Sequence, residues 1–333
     1  MQIALILTEM NKFGAVNSTI KKCALVTLCN EDYILQAKQL FASIYWNARW
    51  NGDYVLLTIN TPEAKLDWFR HRNVVIFNLN EYIDETISHL MQNVKLYKFF
   101  VFHRFFKHWE NIIYLDGDII VRGPLDHLKT VKKFSAVKKQ RLAEMIRPAA
   151  FPKFINPTKR GFNSGVMAFN TKLIRPDSLQ KLINLYLLYK NDLILIDQPI
   201  FNLFLWGKVQ YLPQIYNYNP GLCGKLHKLF DNKNEHKKAI ILHFDGKEKP
   251  WQRSNRFYKE WNENLKKADD IFSFTQLPKI CNRSKKYPIY EIYINSLYFE
   301  VLIMIDRLLG LIGVIVRKYL QRLKSLIVAF LKI

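Results

Sequence analysis

Two carboxylates one residue apart, Asp116 and Asp118, follow an apolar run in the stretch Trp109 to Leu128, WENIIYLDGDIIVRGPLDHL. A buried strand over Ile112–Leu115 cannot hide two acids, so they belong where it ends, at an edge or a cleft. Gly117 between them lets a ligand or a neighbouring backbone come close. Two such groups aimed at one point suit a hard divalent cation that also holds a diphosphate. The same spacing also arises by chance in exposed turns, so its weight rests on other stretches.

Four of these carry side chains of matching chemistry. In GFNSGVMAFN, Asn163-Ser164-Gly165 stands where a strand over Val166–Phe169 begins. The Asn163 amide can donate to and accept from a polyhydroxylated ligand, or serve only as a turn residue. Asp197 and Gln198 stand side by side before a helix, where they either read sugar hydroxyls or cap that helix. In IILHFDGKEKPW, His243 ends a buried strand and offers a neutral imidazole to a metal, although a lone histidine is usually structural. Gly246 permits close backbone approach and Lys249 offers a point charge to a phosphate. Finally, residues 93–108, NVKLYKFFVFHRFFKH, space apolar residues as a helix does, with Lys95, Lys98, Arg104 and Lys107 between them. A lysine here could reach a group held at Asp118; a solvated basic face accounts for the others.

The elements that must position these side chains alternate. Residues 1–21 read as a leader. A first strand over Cys23–Leu28 leads through Cys29-Asn30-Glu31-Asp32 into a helix over Tyr33–Tyr45. A strand over Tyr54–Ile59, a helix over 62–71 and a strand over Val74–Leu79 follow, which predicts a largely parallel sheet. Strand, polar turn, helix is a common nucleotide-binding opening, but the G-x-G-x-x-G of dinucleotide folds is missing. Residues 132–160, with nine basic residues and three prolines, read as a long loop, a short helix and a flap. A helix over Ser178–Lys190, and a strand with an irregular aromatic loop over 208–220, complete the pass.

Bulk composition bounds the rest. The 333 residues are 49% hydrophobic and 14% aromatic, enough for one large α/β domain or two small ones. A net charge of +22 attracts nucleic acid, anionic headgroups or phosphorylated substrates. The basic residues are spread along the chain with no nucleic-acid reader motif, so no nucleic-acid partner is expected. Cys23, Cys29, Cys223 and Cys281 lack metal-like spacing and read as thiols in a reducing compartment. With only Ile3–Leu7 apolar at the start, the chain is expected to face the cytoplasm, and the sequons at Asn17 and Asn282 are taken as chance.

Together these stretches resemble the family-8 retaining glycosyltransferases, which include glycogenin and bacterial lipopolysaccharide galactosyl- and glucosyltransferases. The likeness runs in order over about residues 23–255 through Ala24-Leu25-Val26-Thr27 with Tyr33, the Lys98 segment, YLDGDIIV, FNSGV, DQPIFN, LPQIYN and HFDGKEKPW. The last keeps the family pattern H-x-x-G-x-x-K-P-W intact. The turn between Leu28 and Tyr33 is one residue short of the usual pattern, and glycine replaces the commoner alanine or threonine within D-x-D.

The resemblance implies a Rossmann-like α/β GT-A domain over 22–283, with a central mixed, mostly parallel sheet and a nucleotide-sugar cleft at the strand ends. It implies that Asp116, Asp118 and His243 ligate Mn²⁺ (or Mg²⁺) on the diphosphate of a UDP-sugar, with Gly117 between the acids. Thr27, Asn30 and Tyr33 would surround the uridine, and Gly246 and Lys249 the phosphates. Lys98, Asn163, Ser164, Gly165, Asp197 and Gln198 would line the donor sugar, with Lys98, Asp197 and Gln198 nearest the chemistry. The implied reaction is Mn-dependent, retaining transfer of a hexose, glucose or galactose, from the UDP-hexose to a glycan or a lipid-linked, lipopolysaccharide-like acceptor. A glycogenin-like enzyme that glucosylates its own chain is the alternative, and a basic nucleic-acid- or membrane-binding protein without catalysis is a further one.

From Pro288 the pattern changes. Over 297–333, Arg307, Arg317, Lys318, Arg322, Lys324 and Lys332 share one helical arc, opposite Val301, Ile305, Leu308, Ile312, Ile315 and Leu323. The longest apolar run, Leu308–Val316, is too short to span a bilayer. Such a helix suits the surface of an anionic membrane, so 284–333 is expected to be an amphipathic tail for peripheral attachment on the cytoplasmic face. Packing of that tail on the domain is the competing expectation.

Overall fold

The first half of the chain alternates strand and helix. In this computed structural model, which describes residues 21–83, 85–147, 150–153, 155–220, 238–278 and Met304, β1 (Lys21–Cys29) leads to α1 (Ile34–Ala48). Next come β2 (Asp53–Thr58), α2 (Glu63–Arg70), β3 (Val75–Asn78) and α3 (Glu85–Leu90). Two 3₁₀ helices, Val94–Phe102 and Arg104–His108, then run into β4 (Trp109–Leu115) and β5 (Ile119–Val121). After α4 (Asp126–Lys129) come β6 (Phe134–Arg141), β7 (Arg160–Asn170), α5 (Ser178–Tyr189) and α6 (Gln198–Phe204). The chain continues through β8 (Val209–Leu212), β9 (Ile241–His243) and α7 (Tyr258–Lys266).

Seven strands form one sheet in the order β3-β2-β1-β4-β7-β6-β8. The pairs β2–β3, β1–β2, β1–β4 and β6–β8 are parallel, whereas β7 runs against both β4 and β6. The expected mixed, mostly parallel sheet is therefore present. Its centre is apolar on both faces, as buried parallel strands require. On β1, Leu25 joins the core under α1 and α2, while Ala24 and Val26 join the core under the 3₁₀ helices, α5 and α6.

β5 and β9 pair antiparallel as a separate two-stranded ribbon beyond β4. Helix α1 holds this ribbon: Ser43 Oγ accepts from Val121 N at 3.2 Å, and Asn47 Nδ2 donates to Val121 O at 2.8 Å. Arg122, next in the chain, pairs with Glu260 on α7.

The structure corrects three expectations about elements. Residues 93–108 form 3₁₀ helices and not a regular helix; His103, between the two, is extended and accepts from Phe105 N at 3.2 Å. The second half of the expected 132–160 loop remains irregular, but its first half contains β6, flanked on both sides by β7 and β8. Asn163-Ser164-Gly165 lies within β7 and not at the start of a strand. Of the 284–333 tail, only Met304 falls among the described residues, and Cys223, Cys281, Asn17 and Asn282 fall outside them.

The 3₁₀ layer is locked to the sheet by aromatic packing. Phe102 is 1% exposed, stacks on Phe169 of β7 at 4.9 Å, and meets Phe201 and Phe204 of α6 at 6.2 and 5.3 Å. Phe102→Ala should lower unfolding free energy by about 3–5 kcal/mol, read as a drop in denaturant midpoint at constant slope.

Candidate active site

The site forms where β4 ends and its two neighbours in the sheet and the ribbon continue. Because β7 runs opposite to β4 and pairs Val166 with Leu115, its residues 163–165 extend past the end of β4. Asp116 N continues the ladder by donating to Gly165 O at 2.9 Å. The chain then turns through Gly117 into β5, where Ile119 stands directly opposite His243 of β9. Phe244 N donates to Asp118 O at 3.0 Å and closes the ribbon. Strand pairing thus delivers His243, 125 positions after Asp118, to the two acids.

His243 Nε2 lies 3.2 Å from Asp118 Oδ1 and 3.9 Å from Asp116 Oδ2. One donor atom from each of these three residues lies within 4.8 Å of the others, so they could hold a metal ion. Two carboxylate oxygens and one imidazole nitrogen suit Mn²⁺ or Mg²⁺ in ligand type, the imidazole favouring the former. Gly165 makes room for the cluster: a Cβ there would lie 2.2 Å from His243 Cε1 and 2.7 Å from Asp116 Oδ2. A side chain at that position would push the donors apart.

The imidazole is itself oriented. His243 Nδ1 lies 2.8 Å from Asn217 Oδ1, an acceptor for the Nδ1 proton that orients the ring with Nε2 toward the acids. Asn217 Nδ2 donates to Asn163 Oδ1 at 2.9 Å, and Asn163 Nδ2 donates to Gln198 Oε1 at 2.9 Å. One chain of amides therefore links the donor cluster to Gln198.

Each acid has a cationic partner on a different side. Lys249 Nζ donates to Asp118 Oδ2 and to Phe244 O, both at 2.6 Å. Burial alone would raise the Asp118 carboxyl, but His243 and Lys249 outweigh it and hold it well below the usual range. On the opposite face of the sheet, Lys98 Nζ reaches Asp116 Oδ1 and Asp197 Oδ2, each at 2.9 Å. Lys98 is 3% exposed, whereas Lys95 is exposed, which separates the two lysines. Burial alone would lower the Lys98 ammonium; the two acids reverse this and keep it protonated far above neutral pH. Burial would likewise raise Asp197, but Lys98 and a 2.7 Å bond from Ser164 Oγ hold it ionised. The Asp197 side chain makes no capping bond to α6. Its carboxylate is held by Lys98 and Ser164 instead.

The remaining expected residues lie around this centre with fewer ties. Thr27, near the end of β1, is fully buried, and its hydroxyl has no hydrogen-bond partner among the described residues. Asn30 Nδ2 donates to Asp32 at 3.3 Å. The Tyr33 ring is 41% exposed, meets Trp251 edge-on at 6.0 Å and lies beside Gly117. Open space surrounds Gly246.

Two functional candidates escaped the reading of individual residues. Asn217 stood in what read as an aromatic loop; only its place in LPQIYN marked it. Tyr114 read as core, and it is 1% exposed, but its hydroxyl donates to Asp116 Oδ1 at 2.9 Å. Its position two residues before Asp116 puts both on one face of the strand, a signal the period of two carries.

The fold and the donor cluster define an α/β protein with a cleft, at the strand ends, that could hold a divalent cation. More narrowly, the chain belongs to glycosyltransferase family 8, whose sequence model matches residues 24–255. It is 27% identical over 176 residues to the lipopolysaccharide 1,2-glucosyltransferase of Escherichia coli K12, covering 48% of this chain and 51% of that one. The chain thus spans about half the length of that curated relative. Among solved structures, the bifunctional glycosyltransferase WbbM matches with a TM-score of 0.59 at 19% identity, over 80% of this chain and 54% of that one. An active-site mutant of LgtC matches at 0.58 and 16% identity, over 77% and 98%. The glycosyltransferase GlyE of Streptococcus pneumoniae TIGR4 matches at 0.56 and 21%, over 75% and 63%. At such identities these structures establish the fold.

Removing Lys98 would leave Asp197 buried without its cation, so Lys98→Met should cost about 3–5 kcal/mol at neutral pH. The sign with pH follows from linkage. Wild-type Asp197 is depressed, so its contribution is fully present above the unfolded carboxylate range and is lost as pH falls from there through the depressed folded value. In Lys98→Met the carboxyl is raised, and that variant loses stability as pH rises. Denaturant unfolding from pH 4 to 7 should therefore show the gap between the two proteins widening with pH.

Proposed function

We propose that this family-8 glycosyltransferase moves a hexose, glucose or galactose, from a UDP-sugar to a hydroxyl of a glycan or lipid-linked acceptor, with retention at the anomeric carbon. The observation that carries the reading is the convergence of Asp116, Asp118 and His243 between two cationic side chains, Lys249 and Lys98. The name of the lipopolysaccharide glucosyltransferase relative supports a hexose and a glycolipid acceptor. The LgtC galactosyltransferase, crystallised with donor and acceptor sugar analogues, supports a hexose and a sugar acceptor.

Asp116, Asp118 and His243 would hold Mn²⁺ or Mg²⁺, which when bound supplies Lewis-acid stabilisation of the departing diphosphate. Lys249, next to Asp118, adds a fixed positive charge on the same leaving group. Thr27, Asn30, Tyr33 and Gly246 would border the nucleotide. Asn163, Ser164, Asp197 and Gln198 present amide, hydroxyl and carboxylate groups to the sugar hydroxyls. Asp197 stays ionised because Lys98 and Ser164 hold one of its oxygens. That grip suits a positioning carboxylate better than a nucleophile.

The acceptor oxygen bonds the anomeric carbon as the carbon–oxygen bond to the diphosphate breaks, through an oxocarbenium-like state. The bonding electron pair leaves with UDP. Attack on the face that UDP leaves gives retention, and the acceptor's proton passes to the departing phosphate oxygen. The basic amphipathic segment 297–333 would place the enzyme on the cytoplasmic face of a membrane, beside a lipid-linked acceptor. Among the described residues no helix is long and apolar enough to cross a membrane.

Thermal unfolding with a panel of nucleotide sugars, with and without Mn²⁺, tests the donor site without knowledge of the acceptor. A ligand at 100 times its dissociation constant adds about 2.7 kcal/mol of stability. One UDP-sugar should raise the melting temperature only with Mn²⁺ and only when Asp118 is present, the effect vanishing in Asp118→Ala. No shift with any nucleotide sugar would sink the reading.

A further inference from the structure

Beside the cleft lies a surface that the reaction does not use. After α5 the chain reverses, with Asp192 N bonded to Tyr189 O at 2.8 Å, and runs back through Leu193-Ile194-Leu195. Leu188 is 70% exposed and Ile194 55% exposed, with Leu187 and Leu195 half-buried next to them. A single exposed leucine is ordinary; two apolar runs meeting at one turn that no other described residue covers are not.

The segment after β6 completes the surface. Ile194 N and Leu195 N both donate to Met145 O, at 2.8 and 3.1 Å, and Ile146 bridges Leu193. Phe151, Leu195 and Trp206 pack together around Leu142, Met145 and Ile155. The exposed charges on these segments are chiefly basic: Arg141, Lys153, Lys159 and Lys190 against Glu144, with Arg147 and Asp192 paired at 4.0 Å. Lys159 lies 5.7 Å above the Trp206 ring. Met145 connects this surface to the cleft, since Gln198 Nε2 lies 3.5 Å from its sulfur.

We propose that the folded domain itself docks on an anionic lipid bilayer through this surface, with Leu188 and Ile194 entering the acyl boundary and the surrounding lysines and arginines among the headgroups. The charge pattern selects this occupant: exposed apolar side chains flanked by an excess of basic ones complement anionic lipid. The contact is separate from the 297–333 tail and does not depend on the donor or the cation. Docking here turns the Gln198 side of the cleft toward the membrane, the direction from which a lipid-linked acceptor arrives.

The test uses the full chain with Cys223 and Cys281 replaced by serine. Cys23 and Cys29 stay, since burial pushes both thiols up to about 12 and shields them from labelling. An environment-sensitive fluorophore is placed on Leu188→Cys, on Ile194→Cys, or on Lys65→Cys, an exposed position on α2 across the sheet. Vesicles of phosphatidylcholine with about a third phosphatidylglycerol should blue-shift and raise the emission of the first two probes about twofold, and leave the third unchanged. Added salt, or Arg147→Glu with Lys153→Glu, should weaken the response.

Vesicle sedimentation runs alongside. Silent probes at 188 and 194 on protein that sediments would assign membrane binding to the tail alone and overturn the proposal. Equal response at all three positions, or no binding, would overturn it too. Probes already blue-shifted before vesicles are added would show the surface covered by the tail or by a second copy, and would equally contradict it.

Discussion

Three acidic and two basic side chains converge where β4 ends, and they hold one another. Asp116, Asp118 and Asp197 meet Lys98 and Lys249, with Lys98 and Asp197 buried and the other three partly exposed. An unpaired buried charge costs several kcal/mol, so each group depends on the exact count and placement of the others. Lys98 spans two acids contributed by segments 81 positions apart, β4's end and the start of α6. Lys249 does the same between Asp118 and a backbone carbonyl. Much of the local fold follows from keeping these pairings intact.

Backbone geometry satisfies that demand at three points. The reversed direction of β7 carries Asn163-Ser164-Gly165 past the end of β4 and within reach of Asp116 and Asp197. The β5–β9 ribbon sets His243 opposite the residue that follows Asp118. The 3₁₀ segment before β4 sinks Lys98 into the domain while leaving Lys95 at the surface. The amide chain from His243 through Asn217 and Asn163 to Gln198 then couples the orientation of the imidazole to the opposite wall of the cleft. A change in any of these amides should be felt at both ends.

The chemistry was more legible in the sequence than the scaffold that carries it. Asp116, Asp118 and His243 were each only suggestive at a strand end, and the resemblance joined them as one ligand set; the structure brings one donor atom from each within 4.8 Å of the others. Lys98 was named through the resemblance and not from its spacing; the structure buries Lys98 and leaves Lys95 exposed. β6 was missed because Lys138, Lys139 and Arg141 hide its period; only the neighbouring β7 and β8, with Lys139 paired to Asp245 and Lys138 over the Tyr211 ring, make a strand there stable. The 93–108 helix was misread because apolar spacing alone does not distinguish an α-helix from successive 3₁₀ turns. Asn217 and Tyr114 act through another residue's side chain, and such second contacts leave little trace in one chain's pattern.

The central claim is that Asp116, Asp118 and His243 together hold the cation that a UDP-sugar needs. Pulsed electron paramagnetic resonance of the protein with Mn²⁺ and UDP tests it at the atoms concerned. The account predicts a nitrogen coupling from one imidazole, lost in His243→Gln and weakened when Asn217→Leu frees the ring to rotate. A bound Mn²⁺ with no nitrogen coupling in the wild-type protein, or one that survives loss of His243, would contradict it.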